Sequence, residues 1–517
     1  MKRILSLATS CLALAGAANA AEVLVTADIT TSTTWTANNV YNLQTQVYVT
    51  SGATLTIEPG TVIASTNGLN GALVVTKNGT IMAMGTKKKP IVFTSTADRA
   101  TWTNGSADTG NWREGANEWG NVTIMGDAFM NDHNVVGNVS TCNAANRGNM
   151  EGLTRGTTDD QYGGGNDDDS SGVFKFVSLR YGGRSISPGV ELNGLSLGAI
   201  GRNTDIHHIE IMNNLDDGIE VWGGTVNLKY LSVWNVGDDS LDLDQGYRGE
   251  IQFAFIVQGY SAQGASGSGT GDNALEIDGA EDCHWQPVTT TRIHNLTVVG
   301  MPDSPDVGRF GADHATAWRS NARVQYRNCV FMDVGERLVA FDNTDGAPDN
   351  SCGYGANGTI TWADTWTTDW NVPAAPCGFT PQIDGKLAEI KDSVFFNNDN
   401  TSAYTESALR GVTPGNGTNN NVVEPASSPI RFIERAAPVD YLTFRQERVI
   451  RIDPRASGDA LNAAVSVPGT SFLTANDIRG AFPFTQGGVE VAPWVCGWTA
   501  QSAYGFIVGC KARAEKL

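Results

Sequence analysis

The sequence predicts an all-β solenoid: a parallel β-helix with coils of about 22 residues, long loop insertions and a C-terminal elaboration. Three observations lead there. Short apolar, β-branched runs bounded by Gly, Pro or Ser follow one another from Val47 onward, with no helical period. One interval of 22 residues carries the stretch from Ile209 onto the stretch from Leu231. Glycine is frequent, at 59 of 517 residues, without a collagen period, as many tight turns require.

Residues 1–20 read as a signal peptide. Lys2 and Arg3 start it, Ile4 to Ala15 is mostly apolar, and Ala18-Asn19-Ala20 is an A-x-A cleavage signal. Cleavage after Ala20 is expected over lipidation at Cys11. The mature chain is therefore expected outside the cytoplasm: periplasmic, on the outer surface or extracellular. No later stretch is apolar enough for a transmembrane helix. Asp plus Glu number 55 against 35 Lys plus Arg, which argues against a nucleic-acid partner. Export permits disulfides, and Cys352 with Cys377 and Cys496 with Cys510 are the expected local loops. The odd number of remaining cysteines leaves at least one thiol outside these pairs.

The β-helix is expected over 21–344. Val47 to Val49, Leu55 to Ile57 and Thr61 to Ala64 form a three-strand rhythm. Ala72 to Val75, Ile81 to Met84 and Ile91 to Thr94 repeat it. Polar, Gly- and Asn-rich insertions are expected at 97–120, 126–170 and 259–271. Residues 345–440 read as a loop-rich insertion, and 441–517 as a region capping the open end.

"GATLTIEPGTVI" followed by "GTKKKPIVFTS" resembles the first coils of secreted right-handed parallel β-helix proteins, the pectin-lyase-like superfold. "WGNVTIMGDA", "YGGGNDDDSSGVFKFVSLRYGG" and "ELNGLSLGAIG" are similar to segments of exported bacterial β-helix proteins. The resemblance implies the fold. It leaves activity open, because this fold carries lyases, hydrolases, adhesins and surface-structure proteins.

The 22-residue register places Asp216 on Asp238, Asp217 on Asp239, Ile219 on Leu241, Glu220 on Asp242 and Trp222 on Asp244. It continues into Asp272, Asn273, Glu276 and Asp278, then Asp313, His314 and Arg319, then Glu336, with Asn193 beneath Asp217. Alternation turns Ile219, Val221, Leu241, Leu243, Leu275 and Ile277 inward and the acids outward. Coils sit roughly 4.8 Å apart. Like charges at about 5 Å repel by about 3 kcal/mol at an effective dielectric near 20. Protonation, turn amides, an Arg or a hard cation must relieve the stack. Asp216, Asp217, Asp238, Asp239, Asp242, Asp244, Asp272, Glu276 and Asp278 are the candidate metal ligands. Ca2+ is the expected ion, since it takes six to eight oxygens. The plain alternative is that each turn acid caps its own backbone.

Two functions fit. The first is a non-enzymatic cell-surface or extracellular protein that binds glycan or a surface component, with Trp222, Trp362, Trp366 and Trp370 as candidate stacking residues. The second is a polysaccharide hydrolase or lyase. "LDDGIE" and "GDDSLD" resemble the N-T-D-G-I-D and D-D motifs of polygalacturonase-type glycoside hydrolases, which implies Asp217, Asp238 and Asp239 as catalytic acids. That family's G-H-G is replaced here by "GDN" at 271–273. A lyase would need a base, for which Arg248 and Arg319 are candidates. "GLSLG" at 194–198 lies on a repeat strand, not at a nucleophile turn. His207 and His208 are expected on opposite faces of a strand, which argues against joint metal ligation.

Overall fold

The computed structural model describes residues 20–187, 189–262, 271–280, 285–301, 314–320, 322–335, 337–341, 388–398, 420–441 and 444–510. Its main body is a parallel β-helix. One face is a sheet of nine strands: Gln46–Val49, Ala72–Val75, Val122–Met125, Leu195–Gly198, Ile219–Trp222, Leu241–Asp244, Leu275–Asp278, His314–Arg319 and Arg337–Phe341. Each pairs in parallel with the next. The rest of each coil belongs to a second sheet of seventeen strands.

The register is the one the repeat specifies. Ile219 pairs with Leu241, Glu220 with Asp242 and Trp222 with Asp244, while Ile209 pairs with Leu231 and Ile211 with Val233. Inward Ile, Val and Leu side chains from both sheets form one continuous core. Two corner devices keep successive coils in step. Asn213 and Asn235 both take the left-handed conformation, and Asn235 Nδ2 donates to Asn213 Oδ1 at 3.1 Å. At Gly218 a Cβ would lie 2.5 Å from the carbonyl oxygen of Ser240, so the Asp-Asp-Gly turn has no room for a side chain.

The long strands of the second sheet bend where single residues adopt positive φ: Phe176, His208, Tyr230, Phe253 and Asn295. Each is skipped by the pairing together with its counterpart on the next coil, so the bends stack one over another and the register is unchanged. The first four project outward and stack ring on ring, with centroids 4.1, 4.3 and 5.1 Å apart.

Two boundaries differ from expectation. The loop-rich reading of 345–440 fails in part, because Glu389–Lys391, Val394–Phe396 and Val422–Val423 add further rungs to the second sheet. These runs are too short to show alternation in sequence. The described part of 441–517 lies along the flank of the solenoid. Val449, Ile452, Phe482, Val495 and Phe506 pack on Met212, Trp234, Phe255, Val257 and Val299. That outer face is apolar, and the segment removes it from water. Cys496 and Cys510 form a disulfide within it. Cys142 is also disulfide-bonded, and Cys329 is a free, buried thiol. Cys352, Cys377, Trp362, Trp366, Trp370, Asp313 and Glu336 lie outside the described residues. No described helix is long and apolar enough to cross a membrane.

Candidate functional site

The acids of the repeat gather on the outer side of the nine-strand sheet and in the turn preceding it. Asp217 precedes Ile219–Trp222, Asp239 precedes Leu241–Asp244, and Asn273 holds the same position one coil later. These residues tie coils together. Asp217 Oδ1 accepts the backbone N–H of Asp239 at 2.8 Å, and Asp239 Oδ1 accepts that of Asn273 at 2.6 Å. One oxygen of each is thereby committed to the scaffold, and the other is left for a ligand.

Carboxylate oxygens of the stack converge. Asp216, Asp217 and Asp238 bring carboxylate oxygens within 4.8 Å of one another, as do Asp217, Glu220 and Asp242. Asp238, Asp239 and Asp272 form a third set, and Asp239, Asp242 and Glu276 a fourth. Shared members join the four sets into one chain of sites climbing three coils. Asp244 and Asp278 fall outside them. Asp244 accepts the amide of Gln245, its own neighbour, and Asp278 lies 3.4 Å from Arg319 Nε. Both sit one alternation farther along the strand, beyond reach of the turn.

The acids face outward from the sheet, yet they are largely withdrawn from water. Asp217 and Asp239 are 7% and 5% exposed. The 126–170 insertion folds back over this face, with Met130, Met150 and Tyr162 packing on Tyr48, Val74 and Met125. It brings Glu151 beside the stack, and the hairpin Ser185–Ser187 with Val190–Glu191 brings Glu191. Neither lies on a repeated position, so the 22-residue interval does not reveal them. Trp222 belongs to the same covered patch and is 7% exposed, so its ring faces are closed to a sugar.

Crowding and burial act together on the protons. Burial, then Asp238, Glu151 and Glu191, pushes Asp216 up to about 8. Burial, then Asp278, pushes Glu276 up to about 8 against the opposing pull of Arg319. Glu151 is raised to about 7, chiefly by burial. Asp217, Glu220, Asp239 and Asp242 are pushed well above the usual carboxylate range by burial and then by their neighbours.

Donors border the stack at its ends. Asn193 Nδ2 donates to Glu220 at the lower end. Arg319 pairs with Glu276 at the upper end, and His314 Nδ1 lies 2.9 Å from Asn273 Oδ1. Arg248 is not a base at this site. It is buried and holds Asp167 with both guanidinium nitrogens, at 2.6 and 2.8 Å. Ser196 of "GLSLG" is a buried strand residue accepting from Asn121.

Two buried oxygens inside this arrangement, Asn193 Oδ1 and Asp242 Oδ1, have no hydrogen-bond partner among the described residues. An all-oxygen donor set with orphaned buried oxygens fits a hard divalent cation. A family model described as pectate-lyase-like beta helix domain matches residues 27–364, more than half of the chain. No curated protein and no solved structure matches it.

Proposed function

Given that the chain belongs to the pectate-lyase-like β-helix family, we propose that it is an exported, non-catalytic glycan-binding protein whose acidic stack holds calcium. The observation that carries the cation is the set of four overlapping carboxylate triads, each within 4.8 Å. Two or three negative charges per position, in a partly buried site, match the demand of a hard ion for charged oxygen ligands. Glu220, Asp242 and Asp217 would supply one position, and Asp216 and Asp238 with Asp217 another. An ion there offsets the burial and the mutual repulsion that together raise the proton affinity of these groups. It also offers an acidic sugar a positive contact on an otherwise acidic surface.

The absence of catalysis rests on Asp217 and Asp239. Each spends an oxygen on a backbone amide of the next coil, which suits a structural ligand better than a freely titrating acid or base. The enzymatic alternative, a polysaccharide hydrolase or lyase using Asp217, Asp238 and Asp239, draws on the raised proton affinity of the same acids. A reducing-end assay on neutral and acidic glycans separates the two. The proposal expects retention of glycan without new reducing ends. Product from wild type but not from Asp239→Asn would establish the enzyme instead. The cation is tested separately, by melting with calcium and with chelator.

A further inference from the structure

We propose that a cavity at the seam between the second sheet and the flank segment binds a neutral sugar. The site lies apart from the acidic stack and needs no cation. It therefore goes beyond the function given above, and either can fail without the other.

The cavity holds about 380 Å³. Ligand clefts span about 300–1,000 Å³, so this one has room for about one or two sugar rings. Its floor comes from two parts of the chain. Tyr230 and Phe253 lie on Leu228–Trp234 and Glu250–Val257 of the solenoid, while Ile478, Phe482 and Trp494 belong to the flank segment. Packing sets this floor before a ligand arrives. Phe482 and Trp494 stack at 5.0 Å with an interplanar angle of 9°, and Tyr230 meets Trp494 at 5.4 Å and 64°. Trp494 Nε1 donates to Ala481 O at 3.0 Å. A floor already ordered lowers the entropic cost of binding.

The lining selects by charge. Tyr230 is sandwiched between His208 and Phe253, at 4.3 and 5.1 Å, so it turns an edge and not a face to the cavity. An aromatic edge carries the positive part of the ring quadrupole, which suits an uncharged oxygen and not an organic cation. Asp477 and Gln486 stand on the outer walls. Both are exposed, and neither side chain is bonded to another described residue. The Asp477 carboxylate accepts hydroxyl protons and repels acidic sugars. The Gln486 amide both donates and accepts. A wholly apolar ligand would take water from these two groups without replacing it. An uncharged molecule with C–H surface on one side and hydroxyls on the other satisfies floor and walls together, and a neutral sugar is such a molecule.

The test is isothermal titration calorimetry of the full chain in chelator. The neutral probes are cellotriose, maltotriose and the trisaccharide of N-acetylglucosamine, with the trimer of galacturonic acid as the charged control. At least one neutral probe should bind, and the control should not. Asp477→Ala should weaken binding at least tenfold. Ala492→Trp, which fills the cavity from its wall, should abolish it. Both residues are exposed, and an unchanged melting temperature confirms the fold. Bound sugar should also slow hydrogen exchange at the amides of Thr474 and Ala481, which tie the flank segment to Gln252 and Thr297. No heat with any neutral probe, equal binding of the control, or unchanged binding in either variant overturns the proposal. Protection at the amides of Asp239 and Asn273 instead would put the sugar on the acidic stack, which overturns this site and leaves the function proposed for the stack intact.

Discussion

Asp242→Asn gives opposite results according to whether the acidic stack holds a cation. Asp242 belongs to two of the four triads, so its carboxylate lies within 4.8 Å of oxygens from Asp217, Glu220, Asp239 and Glu276. At that distance, each ionised neighbour repels it by about 3 kcal/mol at an effective dielectric near 20, an upper limit because protonation relieves part of it. Asparagine keeps the shape and removes the charge. In chelator near pH 8, the substitution should therefore stabilise the chain by up to about 3 kcal/mol, or about 3 °C at this length. In saturating calcium it removes a charged ligand. Calcium affinity should fall roughly tenfold or more, and the melting temperature should drop below that of wild type. Differential scanning calorimetry in the two solutions reads the sign directly. Equal destabilisation in both would refute the electrostatic reasoning, since the carboxylate would then matter only as a hydrogen-bonding shape. Stabilisation in both would eliminate the cation.

Trp222→Ala should cost about 3–5 kcal/mol in denaturant unfolding, while retention on glycan affinity gels stays unchanged, because Trp222 is core. His294 is 1% exposed, neither ring nitrogen has a described partner, and burial followed by Arg327 and Arg292 lowers it to about 3. The unfolded chain takes up this proton at about pH 6.5, so stability should fall by about 1.4 kcal/mol per pH unit from there down toward pH 3. His294→Gln should flatten that slope in a pH series of unfolding midpoints. Glu210 is fully buried, accepts the amides of Ala500 and Gln501 at 2.6 and 3.2 Å, and faces Arg180. Glu210→Gln should cost about 3 kcal/mol by leaving Asp98 as the remaining carboxylate facing that buried arginine, and should speed hydrogen exchange at those two amides.

The register of the solenoid was legible because apolar and acidic positions recur at one interval, and a slip of one residue would expose the core. Ile219 over Leu241, Glu220 over Asp242 and Asp278 over Arg319 are all paired as the repeat places them. What surrounds the repeat was not legible. Glu151 and Glu191 reach the acids from an insertion and a hairpin, whose approach depends on packing and not on period. Asp244 reads like Asp242 in sequence, but two residues along a strand carry it out of the cluster. The hydrogen bond between His207 and His208 depends on the left-handed backbone angle at His208, which simple alternation does not anticipate. Residues 441–517 read as a cap for the open end and not as a flank segment, because Trp234, Phe255 and Val257, on which they pack, look like ordinary strand residues in sequence.

That flank segment also has a mechanical consequence. Coils that touch only their neighbours are links in series, and a pull at one end can peel them away one at a time. Here a single strap crosses them. Glu210 holds Ala500, Lys229 holds Phe472, and Gln252 accepts from the amide of Thr474. Asn295 and Asn328 bond Ile478, and Asp392 grips Arg479. Rungs spread along the sequence from Glu210 to Asp392 are thus loaded in parallel. Under tension the strapped coils should yield together at one high force, while the unstrapped N-terminal coils should unwind first in smaller steps.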